Sequence, residues 1–369
     1  MLLSDICEII MGQSPSSDSY NVKGQGLPFF QGNADFGKLY PSVRLWCNCP
    51  IKKAEAGDLL VSVRAPIGAV NLANQKCCIG RGLAALRPYR DKCDAMYLYY
   101  LIKAGKNKLN WLGTGSTFKA ITRSSLLSFN VPDYCIAFQR KISGKLWSVD
   151  KLIHQRNEQL KLFDLLIQSR FLEMFGMSEG IDKHLEDVAD ICSGITKGRK
   201  VLGLELREVP YMAVSNVKMG YIDLSTVKTI MATENEIEQY RLFPNDILMT
   251  EGGDPDKVGR GAIIRNPPKD CIHQNHIFRV RLHKDVLLPE FFEEYLQGNS
   301  ARRYFLKAAK QTTGIASINM KQLRALPVKI PPIKVQIQYS DFVHQVDKSK
   351  YREAIFLYLL EDIRICCNI

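Results

Sequence analysis

Thr114–Pro132, TGSTFKAITRSSLLSFNVP, returns in outline as Thr313–Pro331, TGIASINMKQLRALPVKIP. Each stretch opens on Thr-Gly and a small polar run. Leu127 answers Leu326, Val131 answers Ile330 and Pro132 answers Pro331, with seventeen residues from Gly115 to Pro132 and again from Gly314 to Pro331. The match extends toward the N-terminus of each copy. LSDICEI from Leu3 parallels LEDVADI from Leu185, and Gly12 parallels Gly194 at an offset of 182. PFFQGNADFG from Pro28 answers PYMAVSNVKMG from Pro210. The segment around Asp58 answers that around Asp246 at an offset of 188, and the Thr-Gly stretches stand 199 apart. Landmarks that keep their order while the offset grows indicate one domain plan carried twice, with different loops inserted.

Each copy is built mostly of short β-type runs, DLLVSV, AALRP, IFRVRL and LPVKI among them, bounded by Gly, Pro, Asn or Asp. Helical stretches follow late in each copy, from Ala95 and from Pro289, where the proline suits a first helical turn. After each copy the period changes. No proline occurs from Phe138 to Phe175, and Leu146, Ile153, Leu160, Ile167 and Met174 fall seven apart. Ile142, Val149 and Phe163 hold the second seam position, which Arg156 and Arg170 interrupt. After the second copy, Tyr339, Phe342, Val346, Ser349, Glu353, Phe356, Leu360 and Ile363 advance by alternating threes and fours. Stripes this narrow call for a facing helix. The expected fold class is α+β: two similar mixed-sheet domains with helices, separated by two long antiparallel coiled-coil-like helices with pseudo-twofold symmetry. The expected boundaries are residues 1–135, a spacer helix over 136–177, a second domain over 178–332 and a final helix over 333–369.

The chain has 369 residues, more than single cores of roughly 250 to 300 residues usually need. Fifty Lys and Arg against thirty-eight Asp and Glu leave a net charge of +12, which favours a polyanionic partner. MLLSDICEII lacks the basic start and long apolar core of a signal peptide, so a reducing cytosol is expected. The eleven cysteines include Cys47-x-Cys49, Cys77-Cys78 and Cys366-Cys367, none with the two-residue gap of a zinc ribbon. They read as buried free thiols, with no metal site. The apolar run IFLYLL from Ile355 is too short to cross a bilayer.

A basic chain with two similar modules on a helical pair has the geometry of a bipartite reader of a linear polymer. A helix of 38 residues spans about 57 Å at 1.5 Å per residue, against about 34 Å for one turn of duplex DNA. Over nearly its whole length the chain resembles the specificity subunit of type I restriction-modification systems. The resemblance lies in Gly57–Pro88, GDLLVSVRAPIGAVNLANQKCCIGRGLAALRP, and in Asn245–Gly261, NDILMTEGGDPDKVGRG, each similar to one variety of target-recognition domain. It lies also in NVPDYCIAFQRKI from Asn130 and KIPPIKVQIQ from Lys329, where the helix-opening glutamines are expected at Gln139 and Gln338. The resemblance implies that each copy reads one half of a split sequence in double-stranded DNA while the helices set the spacing. It implies two methyltransferase subunits docked on the helices and recognition domains, and restriction/translocase subunits joining that core. The chain itself is then catalytically inert and binds no cofactor. S-adenosylmethionine, ATP and Mg²⁺ belong to the partner subunits. Two departures from the family pattern are a final helix expected to end soon after Ile363 and a Met1 that lies almost on the first copy, leaving no N-terminal extension.

Rival chemistries find less support. NPPK at Asn266–Lys269 nearly matches the amino-methyltransferase motif, but Lys269 cannot stack on a flipped base, and the prolines read as a turn between strands. DPDK at Asp254–Lys257 lacks a following carboxylate and lysine and reads as a loop. HQNH at His273–His276 reads as a polar strand edge rather than a metal pair. An RNA-binding module would expose aromatics for stacking, whereas PFF and FFEEY read as core.

DNA contact asks for Lys, Arg and hydroxyls at phosphates and for Arg, Lys, Asn or Gln at base edges. The candidates in the first copy are Arg64, Arg81, Thr114, Ser116, Thr117 and Lys119, with Gly80, Gly82 and Gly115 letting backbone approach closely. Those in the second copy are Lys257, Arg260, Gln274, Asn275, Thr312, Thr313, Ser317 and Asn319. Arg64 and Arg81 stand out because they interrupt apolar segments, where an unpaired charge is costly.

Overall fold

The computed structural model describes residues 1–113, 119–176, 180–199, 205–254, 258–312 and 315–366. The chain divides into two compact units, residues 1–158 with 354–369, and residues 159–353. The principal strands of the first are β1 (Cys7–Met11), β2 (Leu27–Phe30), β3 (Leu59–Ser62), β4 (Val70–Leu72), β5 (Cys77–Ile79) and β6 (Leu83–Pro88). Those of the second are β7 (Ala189–Ser193), β8 (Arg207–Met212), β9 (Asp246–Thr250), β10 (Gly261–Ile264), β11 (Ile272–His273) and β12 (Ile277–Leu282).

Each unit is organised around an antiparallel four-stranded sheet. In the first the order is β1-β6-β3-β4, and Ile9, Leu86, Leu59 and Leu72 lie in one cross-strand row. In the second the order is β7-β12-β9-β10, and the matching row is Ile191, Val280, Ile247 and Ile263. The first row faces the helix Ala95–Ala104, with Leu98 and Ile102 in the same core. Leu60, Leu83 and Ala85 point to the other face and join Phe30 and Ile79 in a separate cluster. A strand such as LLVS, buried on both faces, therefore reads as a continuous apolar run instead of an alternation. A second sheet in each unit contains a short parallel pairing, Phe29 beside Cys78 and Tyr211 beside Ile272.

The buried polar groups repeat as well. Asp58 accepts from Arg87 at 2.8 Å and from the Glu55 N–H, while Asp246 accepts from Arg281 at 2.8 Å and from the Phe243 N–H. Both carboxylates are buried. The guanidiniums that pair with them extend out to the surface, which keeps the desolvation cost of each pair moderate. A Cβ on Gly12 would run into the Gly80 carbonyl, and one on Gly194 into the His273 carbonyl, so each copy needs glycine where β1 or β7 ends.

The central helix runs Ile136–Phe175 and the last helix Ile333–Cys366. The heptad stripe coincides with the covered face: Leu146 and Ile153 are buried, and Val149, Leu160, Phe163, Ile167 and Met174 are half-buried. In the second unit Asp164 meets Lys350, Arg170 lies over the Phe342 ring and Phe171 packs on Tyr339, so these helical segments run antiparallel. In the first unit Arg156 lies over the Phe356 ring at 5.1 Å. The two arginines that interrupt the seam are thus held by cation–π stacking.

Several expectations are corrected. The last helix starts 197 residues after the central one, not 199, and the glutamine that answers Gln139 is Gln336. Gln139 accepts from the Asp94 N–H and donates to the Lys92 and Tyr134 carbonyls. Gln336 accepts from the Leu288 N–H and donates to the Val286 and Pro331 carbonyls. Gln338 is exposed, because it falls on the outer face of the helix. The stretch from Pro289 breaks at Gly298 into Pro289–Gln297 and Asn299–Ala308. Not every thiol is buried: Cys49 and Cys135 are exposed and Cys192 is half-buried. His273 stands in an edge strand, Ile272–His273, yet is no exposed polar group. It is fully buried, donating Nδ1–H to the Tyr240 carbonyl, and burial lowers its pKa to about 4. Its neighbour His276 is exposed and hydrogen-bonded through Nδ1 to the Glu251 carboxylate at 2.6 Å.

Candidate nucleic-acid interface

The first unit carries a cleft of about 460 Å³ into which the ends of β2 and β3 and the turn before β6 deliver Gln31, Asn33, Arg64 and Arg81, with Arg44 entering from the segment before the strand Leu45–Cys47. Hydrogen bonds from backbone N–H groups to distant parts of the chain fix the supporting segment. Gly80 N–H donates to the Phe30 carbonyl, Gly82 N–H to the Gln31 carbonyl, and Arg81 N–H to Ser14 Oγ. Gly80 and Gly82 are needed here because a Cβ at either would press on Gln31. Their close approach is therefore to β2 and its continuation, within the domain. Arg64 is held by a bridge to Ala120, and its carbonyl accepts from Ser62 Oγ.

Arg64 and Arg81 are both exposed, so neither is the buried charge that the apolar flanks suggested. They stand on loops at the ends of buried strands. Among the described residues neither guanidinium has an ion-pair partner, whereas Arg44 is tied to buried Asp35. The carboxylate is thus neutralised within the cleft, and two unneutralised guanidiniums remain beside two carboxamides. Lys119 is exposed, with its Cβ near Gly113. Thr114, Gly115, Ser116 and Thr117 lie outside the described residues, as do Lys257 and Thr313 in the second copy.

In the second unit the positions that answer Arg64 and Arg81 are Gly252 and Asn275. Gly252 pairs with Ser317 where Arg64 bridges Ala120, and Gln274 N–H bonds the Met212 carbonyl where Gly80 N–H bonds Phe30. Asn275 is anchored by its N–H to the Ile195 carbonyl and by its own carbonyl to Ser193 Oγ, leaving its side chain half-buried. Arg260 is half-buried, and its Nε has no hydrogen-bond partner among the described residues. Thr312 belongs to the strand Lys310–Thr312, paired with Ile315–Ser317. Asn319 is committed elsewhere: it caps the helix Met320–Arg324 by accepting from the Gln322 N–H at 2.9 Å, as Thr122 caps Arg123–Leu127.

Sequence reasoning missed Gln31, Asn33 and Trp111. The first two sit almost fifty residues from Arg81 in sequence and reach it only through the parallel pairing of β2 with β5. Trp111 lies within Lys106–Leu112 and is 89% exposed, against the expectation that aromatics serve the core; Phe29, Phe30, Phe291 and Phe292 do so. Among the described residues no group of three or more His, Cys, Asp or Glu is arranged to hold a metal ion, and no helix is long and apolar enough to cross a membrane.

The family described as the type I restriction modification DNA specificity domain matches residues 1–162 and again residues 179–354. The chain belongs to this family. Among its relatives, a putative type I restriction enzyme MjaX specificity subunit of Methanocaldococcus jannaschii is 44% identical over 152 residues, covering 41% of this chain and 36% of that protein. The EcoKI specificity subunit of Escherichia coli is 24% identical over 297 residues, covering 73% of this chain and 62% of that one. The chain therefore spans about a third of the first relative and under two thirds of the second. The crystal structure of a type I restriction-modification S subunit from M. genitalium aligns over 100% of this chain and 94% of that one, with a TM-score of 0.60 at 14% identity. At that identity the likeness bears on the fold alone. The two family matches correspond to the two internal copies recognised from the repeat, each with part of a long helix.

Proposed function

We propose that the chain is the DNA-reading subunit of a type I restriction-modification complex, each module taking one half of a split duplex sequence. The observation that carries this reading is the pair of unneutralised guanidiniums, Arg64 and Arg81, fixed beside Gln31 and Asn33 in a cleft of a domain that the family match makes double. Arginine and carboxamide side chains are the groups that make paired hydrogen bonds to base edges. The net charge of +12 supports binding to a polyanion. The chain acts without catalysis in a reducing cytosol. Methyl transfer falls to two methyltransferase subunits carrying S-adenosylmethionine, and cleavage to restriction/translocase subunits using ATP and Mg²⁺. Exposed apolar side chains on the helices, Leu162, Leu165, Leu166 and Leu172 on one and Tyr351, Ile355, Tyr358 and Leu359 on the other, favour such docking, since large exposed apolar patches mark partner surfaces.

The test is co-purification of the chain with the methyltransferase encoded beside it, followed by long-read mapping of methylated bases in DNA exposed to the complex. Methylation at a split motif with a fixed gap is the expected result. A chain that neither associates nor directs methylation overturns the proposal.

A further inference from the structure

We infer that the two modules read different base chemistry at one shared position of the fold: the first takes a guanine-containing half-site through Arg64 and Arg81, with Gln31 and Asn33 reading an adjoining adenine, and the second takes an adenine-bearing half-site through Gln274 and Asn275. The inference rests on the proposed reading of duplex DNA.

Three observations carry it. First, the cleft mixes donors with acceptors. A phosphate presents acceptors only, so two arginines alone would suit it, but the carbonyls of Gln31 and Asn33 have no use there. Guanine shows two acceptors, O6 and N7, to a guanidinium fork, and adenine shows an acceptor and a donor, N7 and N6, to a carboxamide. The side-chain set thus matches base edges better than backbone. Second, the arginines are positioned. Gly80 and Gly82 bond the Phe30 and Gln31 carbonyls on either side of Arg81, and Arg64 is pinned through Ala120 and Ser62. Holding the attachment point of a long side chain lowers the entropy lost when its fork engages. The third cationic group, Arg44, is occupied by Asp35 and is left out of the reading set. Third, the internal repeat is its own control. At the places of Arg64 and Arg81 the second module has Gly252 and Asn275, on equally well-tied backbone. Gln274 and Asn275 are neutral and bidentate, which is the chemistry for adenine.

The experiment is selection of bound sequences from a random duplex pool by the full chain co-purified with its methyltransferase. Parent, Arg64→Ala, Arg81→Ala, Arg81→Lys, Asn33→Ala and Asn275→Arg are compared. The parent is expected to enrich a split motif with at least one fixed G·C pair in one half and a fixed A·T pair in the other. Arg64→Ala and Arg81→Ala should each lose a G·C preference by about 5- to 150-fold, the discrimination of one bidentate pair. Arg81→Lys keeps the charge but loses the fork, and should lose the same letter. Asn33→Ala should relax a neighbouring A·T, and Asn275→Arg should bring a guanine into the other half. Retention of the untouched half-motif in each variant shows that the chain is folded. No enriched motif from the parent sinks the DNA reading and the inference with it. An enriched motif whose letters all survive Arg64→Ala and Arg81→Ala, with binding weakened evenly and the salt slope reduced by about one, assigns the arginines to phosphates. That result overturns the inference while the proposed function stands.

Discussion

Where the two modules are buried they match almost group for group, and where they face the solvent at the ends of β3 and before β6 they part. The row Ile9, Leu86, Leu59 and Leu72 is repeated as Ile191, Val280, Ile247 and Ile263, and Asp58 with Arg87 as Asp246 with Arg281. Arg64 and Arg81, by contrast, become Gly252 and Asn275. Close packing accounts for the first half of this contrast, because a change of even one methylene in a sheet buried on both faces is felt throughout. The loops bear no such constraint once their backbone is tied, so their side chains are free to differ. A fold used twice for two related tasks divides in this way between a fixed interior and a variable rim.

The buried glutamines give the largest effect by which this equivalence can be broken. Gln139→Ala strips partners from the Asp94 N–H and the Lys92 and Tyr134 carbonyls, and Gln336→Ala does the same to Leu288, Val286 and Pro331. A fully buried unsatisfied group costs about 1 to 3 kcal/mol; most of these backbone groups are partly buried, so either variant should lose about 3 kcal/mol over its three lost bonds. Hydrogen exchange should place the loss in the module that carries the mutation. A Gln336→Ala chain that unfolds at the same denaturant concentration as the parent would remove the glutamine from this role, and unequal losses would show that the modules lean on their helices differently.

These glutamines also mark how far the sequence could be read. The offsets of 182 and 188 were legible because the glycine and aspartate landmarks sit at the ends of buried strands, where side-chain type is dictated. The heptad seam was legible for the same reason, down to the arginines that interrupt it. The offset of 199 runs through Pro132 and Pro331, which do not occupy equivalent places: Pro331 is buried and its carbonyl accepts from Gln336, the place that Tyr134 holds beside Gln139. The spacing of 197 follows from what is buried: Leu126 with Leu323, Gln139 with Gln336, Ser143 with Ser340. In the cleft, the apolar flanks that make Arg64 and Arg81 stand out report the strands behind them. Gln31 and Asn33 gave no signal, because only the parallel pairing of distant strands brings them to Arg81.

Acidity separates the modules next. His273, buried and held to about pKa 4, is in the second unit, as are Glu293 and Glu294, which burial raises to about 7. For the histidine, the unfolded chain binds the extra proton between about pH 6.5 and 4, so its contribution is complete above 6.5 and is lost as pH falls toward 4. For the glutamates the folded form binds the extra proton, so their contribution is complete below about 4.5 and is lost as pH rises toward 7. The opposing slopes overlap, and a melt of the parent alone would mix them. His273→Asn isolates the histidine, since the amide retains a donor for the Tyr240 carbonyl and does not titrate. The parent's advantage over this variant should shrink by roughly 3 kcal/mol on acidification from pH 7 to 4. A constant difference between the two melts across that range would show that His273 is protonated as readily in the folded chain as in the unfolded one.

The smallest effect sharpens the comparison most, because it separates structure from reading at a single residue. Asn319 has the side chain expected of a base reader, yet it accepts from the Gln322 N–H while Gln322 returns a bond to the Asn319 N–H. Thr122, its counterpart, holds the same place with a hydroxyl that no one would choose for reading adenine. If both are caps, Asn319→Ala and Thr122→Ala should each cost about 1 kcal/mol in denaturation, and Asn319→Ser should restore most of the loss. The sequence preference of each half-site should be unchanged in all three. A lost letter in the second half-site that Asn319→Ser fails to recover, with stability recovered, would move Asn319 from the scaffold to the reading surface and break the match between the modules at a position where their backbones agree.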